Sequence, residues 1–218
     1  MSELLFKPYS LILEENIFDS IRLYDDDKPS VTSVLKILKD SDSFEMFKKN
    51  DMDRYKSMLQ AKADLWTQLH KAIELTYSNK KFHSTSTNHS NAWIKFYTKE
   101  WHKWNPIHLE CQIISEDIWW CVDAVMDINW IRYIVDWKTC WQRTYPELIL
   151  KYKLQVSKYC KMYNKQYDES VYNWKIVMFS DQWWYQIIDI EDIDTYANMY
   201  DQVANKFFEY YNSYKLIN

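Results

Sequence analysis

The sequence predicts a mixed α/β sandwich around a central sheet. Three observations predict it. Apolar residues recur at helical spacing over residues 52–77. The period then shortens to three strand-like runs between residues 109 and 137. Helical spacing returns from Tyr145, ahead of a second strand pair and a closing helix.

Taken in order, the first residues carry two apolar runs, Tyr9–Leu13 and Ile17–Tyr24, followed by the polar turn Asp25-Asp26-Asp27-Lys28-Pro29. Ser30 or Thr32 can cap a helix running on towards Asp40. Met58, Ala61, Leu65, Leu69 and Ile73 mark the long helix at three- and four-residue steps. Ser84–Asn91 is rich in Ser, Thr and Asn and predicts a polar loop; Ala92–Trp104 predicts another helix. The strand-like runs are Leu109–Ser115, Trp120–Ile128 and Ile131–Trp137. Tyr145–Tyr163 is helical through Leu148, Leu154, Val156 and Tyr159. Val171–Phe179 and Tyr185–Ile190 predict the last strands, and Ile193–Leu216 the closing amphipathic helix. No internal repeat or boundary interrupts this order, so one domain over residues 1–218 is expected.

Composition narrows the function classes. Hydrophobic residues make up 47% of the chain, enough for a sizeable core. A net charge of -4 argues against a broad basic surface that coats DNA, though not against a nucleic-acid enzyme that uses bound cations. No apolar run approaches the roughly 18 residues of a membrane helix. Met1–Leu13 lacks a basic start, apolar stretch and cleavage site, so a cytoplasmic protein is expected. Cys111, Cys121, Cys140 and Cys160 are scattered, which suits buried small side chains better than disulfides or a zinc knuckle.

The chemistry concentrates between Glu110 and Tyr159. Asp123 lies inside an apolar strand, and Asp136 and Lys138 end the next one. Residues two apart in a strand share a face, so Asp136 and Lys138 project together while Trp137 projects away. If the two strands form a hairpin, Asp123 reaches the same place. Carboxylates in apolar strands are costly unless they are paired or hold a cation. Hard divalent cations take such oxygen ligands, polarise a phosphate and lower the pKa of an attacking water. A neighbouring lysine stabilises charge developing on the phosphate. A bare D-x-K tripeptide is more often an ordinary ion pair; the surrounding pattern changes that balance.

That pattern runs Ala63-Asp64-Leu65-Trp66-Thr67-Gln68-Leu69-His70, then Glu110, then Trp120-Cys121-Val122-Asp123, then Asp136-Trp137-Lys138, then Gln155-Val156-Ser157-Lys158-Tyr159. It resembles the RecB-like branch of the PD-(D/E)xK nucleases, which includes CRISPR-adaptation nucleases and many phage exonucleases. The resemblance covers about residues 30–190 and five motifs in order. It implies a restriction-endonuclease-like core, a central mixed β-sheet flanked by helices. It implies a Mg²⁺ or Mn²⁺ held by His70, Asp123, Asp136 and the backbone carbonyl of Trp137. Lys138 would be the catalytic lysine, Glu110 a support from the preceding strand, and Gln155 and Tyr159 would face the site or the DNA. Read alone, Tyr159 suits core packing equally well, and Glu110 suits a surface position. His83, His89, His102 and His108 match nothing and are expected at the surface. Some members hold an iron–sulfur cluster through four cysteines; this chain lacks their cysteine cluster, so none is expected.

The implied function is a metal-dependent deoxyribonuclease. An exonuclease on single-stranded or end-resected DNA is preferred, in recombination, repair or phage DNA processing, with recombination or replication proteins as partners. The alternative is a non-catalytic DNA- or protein-binding module on the same fold, and the intact Asp123, Asp136 and Lys138 argue against it. A different metal hydrolase would need a richer His and carboxylate set than the chain offers.

The departures from the pattern share one feature. The chain has 12 tryptophans and no glycine, where average usage predicts roughly fifteen glycines. Trp66 and Trp120 stand at motif glycines, Trp130 follows Asn129 where a hairpin turn wants glycine, and Trp183 and Trp184 sit at another apparent turn. A gene whose UGA codons mean glycine, translated with UGA as tryptophan, accounts for both abnormal counts. The competing explanation is a real glycine-free protein.

Overall fold

A computed structural model of the chain describes residues 17–18, 21–24, 27–38, 50–85, 87–140 and 146–217. The apolar run Tyr9–Leu13, the first two residues of the predicted turn at Asp25 and Asp26, and the predicted helix end near Asp40 lie outside these residues.

Strands β1 (Leu23–Tyr24) and β2 (Lys28–Pro29) pair antiparallel and lead into helix α1 (Val31–Val34). Ser30 caps α1 as its sequence position suggests, its hydroxyl accepting the Ser33 N–H at 3.1 Å. The helix does not run on: a 3₁₀ turn over Leu35–Ile37 follows, and Leu38 is extended. Val31, Val34, Leu35, Ile37 and Leu38 are buried while Lys36 is exposed, so the segment keeps its apolar side on the core after the helix has ended.

Helix α2 (Met52–Asn79) is capped by Asp51, whose carboxylate accepts the Arg54 N–H at 3.0 Å. Its buried residues, from Leu69 to Tyr77, all lie in the C-terminal half. Helix α3 (Ser90–Lys99) follows, then a 3₁₀ turn over Trp101–Lys103. The predicted helix end at Trp104 gives way to strand, because Pro106 biases Asn105 towards extended backbone.

Five strands form the main sheet, in the order β3 (Trp104–Ile114), β4 (Trp119–Ile128), β5 (Ile131–Cys140), β6 (Asn173–Ser180) and β7 (Tyr185–Asp189). Strands β5 and β6 run parallel and the other neighbours antiparallel. A parallel pair needs a crossover, and helix α4 (Pro146–Tyr167) provides it. Helix α5 (Ile193–Ile217) closes the order. The chain is therefore α/β, a five-stranded mixed sheet flanked by helices. Residues of α1, α4 and α5 form one apolar layer with one face of the sheet; residues of α2 and α3 form the other. Among the described residues no helix is long and apolar enough to cross a membrane.

One irregularity shapes the site. Leu109 pairs with Ala124 and Cys111 with Val122, so Glu110 faces Asp123 across the β3–β4 ladder. Val122 belongs to the α4/α5 layer and Ala124 to the α2/α3 layer, although residues two apart ordinarily share a face. Cys111 and Leu109 divide in the same way. Glu110 has a φ of 48°, the left-handed region, and is the one such residue inside a described strand. The pleat breaks at this pair. Pairing of β4 with β5 also ends here, at Ala124 and Val135.

Candidate active site

The broken pleat leaves the backbone N–H of Trp137 without a partner on β4. The Asp123 carboxylate takes that place, with Oδ2 accepting the Trp137 N–H at 2.7 Å. This bond fixes a buried carboxylate at the seam where two strands part. The long helix α2 supplies His70 from the opposite layer. Its Nε2–H donates to the carbonyl of Trp137 at 3.1 Å and lies 3.7 Å from Asp123 Oδ2; its Nδ1 lies 3.5 Å from Glu110 Oε1. His70 and Asp123 are buried, and Glu110 is 40% exposed, which leaves one side of the group open to solvent.

Electrostatics bear on these residues strongly. Burial pushes the Asp123 carboxyl upward, His70 opposes it, Asp136 adds to it, and the result is about 7. Burial alone would lower the His70 imidazole. The charge of Asp123, then Glu110 and the Trp137 carbonyl, outweigh it and raise the group above its usual value.

A second set lies alongside. The Lys138 ammonium donates to Asp136 Oδ1 at 2.9 Å and lies 2.7 Å from Oδ2. The Gln155 amide, on α4, donates to the same Oδ1 at 3.3 Å and also bonds the Tyr159 hydroxyl. Tyr159 is buried and stacks on Trp120, with centroids 5.7 Å apart and an interplanar angle of 11°. Asp136 is therefore oriented from two sides and almost wholly buried. Both sets act on Asp123, whose carboxyl feels the charges of Asp136 and Lys138 together with those of His70 and Glu110.

The structure thus brings His70, Glu110, Asp123 and the backbone of Trp137 together, with Asp136, Lys138, Gln155 and Tyr159 beside them. The Trp137 indole packs on the far side of the sheet, in the α2/α3 layer, as strand alternation requires. His70, Glu110 and Asp123 each offer a ligand atom, all within 4.8 Å of one another. Two carboxylates and one imidazole are a donor set that suits a divalent cation. The raised carboxyl of Asp123 is a group that a cation would stabilise in its ionised form.

Some expectations need correction. His89 is completely buried rather than at the surface. Its Nε2–H donates to the Cys140 carbonyl at 3.2 Å, so the loop before α3 folds over the end of β5. Cys121 is half-exposed rather than buried, because it borders the open side where its thiol meets Glu110 Oε2 at 3.6 Å. All four cysteines are free thiols.

No family model and no curated protein sequence matches this chain. Among solved structures, the chain is similar to the one described as "Crystal structure of SSO0001", at 13% identity and a TM-score of 0.42, over 88% of this chain and 82% of that chain.

Proposed function

We propose that this chain is a metal-dependent deoxyribonuclease of the PD-(D/E)xK superfamily, in its RecB-like branch, built on a restriction-endonuclease-like core. The observation that carries this reading is the meeting of His70, Glu110 and Asp123, from three separate elements, beside the Asp136–Lys138 pair. These residues stand at the motif positions on which the resemblance rests.

His70, Asp123 and Glu110 would hold a Mg²⁺ or Mn²⁺, with Asp136 and the Trp137 carbonyl next to it. Such an ion polarises a phosphate oxygen and makes a bound water more acidic. Asp123 supplies negative charge fixed by its bond to the Trp137 N–H. Lys138 pairs with Asp136, and its ammonium would meet charge developing on the phosphate. Gln155 keeps Asp136 turned towards Lys138. Tyr159 fixes Gln155 and is a positioning residue. Single-stranded or end-resected DNA is the preferred substrate, met in recombination, repair or phage DNA processing, where recombination or replication proteins would be partners.

End-labelled single-stranded DNA with Mn²⁺ provides the test. The wild-type protein shortens it, and Asp136→Ala lowers the rate by at least about a hundredfold. Equal rates in the two proteins would remove this mechanism. Release of mononucleotides from one end marks an exonuclease; internal fragments mark an endonuclease.

A further inference from the structure

Four aromatic rings run in series from the candidate active site towards the start of β4. Trp120 stacks on Tyr159, Trp119 lies 6.1 Å from Trp120, and Tyr24 lies 5.7 Å from Trp119. The guanidinium of Arg22 sits 5.7 Å from the centroid of each indole. Arg22 is exposed and Tyr24, Trp119 and Trp120 are half-exposed, so this series borders solvent along most of its length. Its inner end is Tyr159, which bonds Gln155, which in turn bonds Asp136.

We infer that Arg22, Tyr24, Trp119 and Trp120 form a short stacking lane that feeds single-stranded nucleic acid towards Asp136. This inference rests on the nuclease reading and adds to it the residues that select the substrate. Every base has a π-face, so aromatic side chains grip unpaired bases without reading sequence. Arginine adds a planar cation that stacks on rings and pairs with phosphate. Bases inside a duplex have no free face, so the lane favours unpaired strands or frayed ends. Beyond Trp119 lies a separate groove of mixed charge, lined by Asp27, Glu116 and Asp117 together with Lys28 and Lys215.

The test is fluorescence anisotropy of labelled (dT)15 in EDTA, where the full chain binds without cleaving. An abasic 15-mer of the same charge is the comparison. The wild-type protein binds (dT)15 about tenfold more tightly than the abasic strand. Trp119→Ala weakens (dT)15 binding about tenfold and leaves abasic binding unchanged, and Trp119→Phe restores most of the loss. Arg22→Gln, a change at an exposed side chain, weakens both strands about threefold and flattens the salt dependence. Should Trp119→Ala fail to fold by circular dichroism, the (dT)15-to-abasic ratio and Arg22→Gln decide. Equal binding of both strands, or unaltered binding by Trp119→Ala and Arg22→Gln, overturns the lane while leaving the nuclease reading intact. Failure of the wild-type protein to bind either strand at low salt also overturns the lane, whereas the nuclease reading falls only if Mn²⁺ supports no cleavage.

Discussion

At the scale of single residues, backbone strain divides the tryptophans. Asn129 and Trp130 turn β4 into β5 with φ of 51° and 70°, and Trp183 has a φ of 69° between β6 and β7. A residue with a β-carbon loses about 1 kcal/mol or more in this left-handed region, and glycine does not. Trp130 is fully exposed and Trp183 more than half exposed, so packing offsets little of that strain. Trp66 lies within α2 and Trp120 within β4, and neither they nor Trp184 have positive φ. Backbone strain therefore points to misread glycine codons at Trp130 and Trp183 only; Trp120 is extended within β4 and its ring stacks on Tyr159, so it stands as a tryptophan. Trp130→Gly and Trp183→Gly should each raise stability by up to about 1 kcal/mol, roughly 2–4 °C in Tm. Trp66→Gly, in mid-helix, should lower it by a similar amount. Thermal melts check both directions, and a lower Tm in the two turn variants refutes the strain argument. Glu110 carries the same strain inside β3, where it sets a carboxylate beside His70.

At the scale of elements, the strands were legible and the places where they part were not. Apolar runs at 109–115, 120–128 and 131–137 located β3, β4 and β5 because a half-buried strand writes its faces into its composition. That same period-two reading cannot register a broken pleat at Glu110 and Asp123, since the break depends on which neighbour each strand keeps. It did place Asp136, Lys138 and Trp137 correctly, because β5 stays regular there. His89 was illegible for a related reason. Its loop is polar in composition, and only the closure of that loop over β5 buries the ring. Burial lowers its imidazole below the usual value, and the Cys140 carbonyl and the charge of Asp181 recover only part of that. A depressed group contributes stability in its neutral form. The contribution is complete above about pH 6.5 and is lost as pH falls below that value towards the folded one. Lowering pH from about 7 to 5.5 should speed amide exchange at residues 87–90, after correction for intrinsic rates. His89→Asn should make that segment insensitive to pH. Constant protection in the wild-type protein would show that His89 does not anchor the loop.

At the scale of the whole molecule, two apolar layers close on a sheet that holds an acid at its seam. Asp123 is the exposed weakness of that design when no cation is present. Its carboxyl is raised to about 7, by burial first, so its neutral form is the one the metal-free fold accommodates. The associated stability is fully present below about pH 4 and is lost as pH rises through about 7. The metal-free protein should therefore weaken between about pH 4 and 7 and level off above that. Asp123→Asn keeps an oxygen to accept the Trp137 N–H and removes the charge. At about pH 8 the metal-free variant should be more stable than wild type by on the order of 2–4 kcal/mol, the gap closing towards pH 4. Mn²⁺ should reverse the ranking. A hundredfold excess over Kd adds about 2.7 kcal/mol to a fold that binds it, and the variant, lacking a ligand charge, should gain far less. Denaturant melts at the two pH values, with and without Mn²⁺, separate the possibilities. If Asp123→Asn destabilises the metal-free protein at high pH, the carboxylate is there for its hydrogen bond alone. If the variant and wild type respond to Mn²⁺ alike, the cation binds elsewhere.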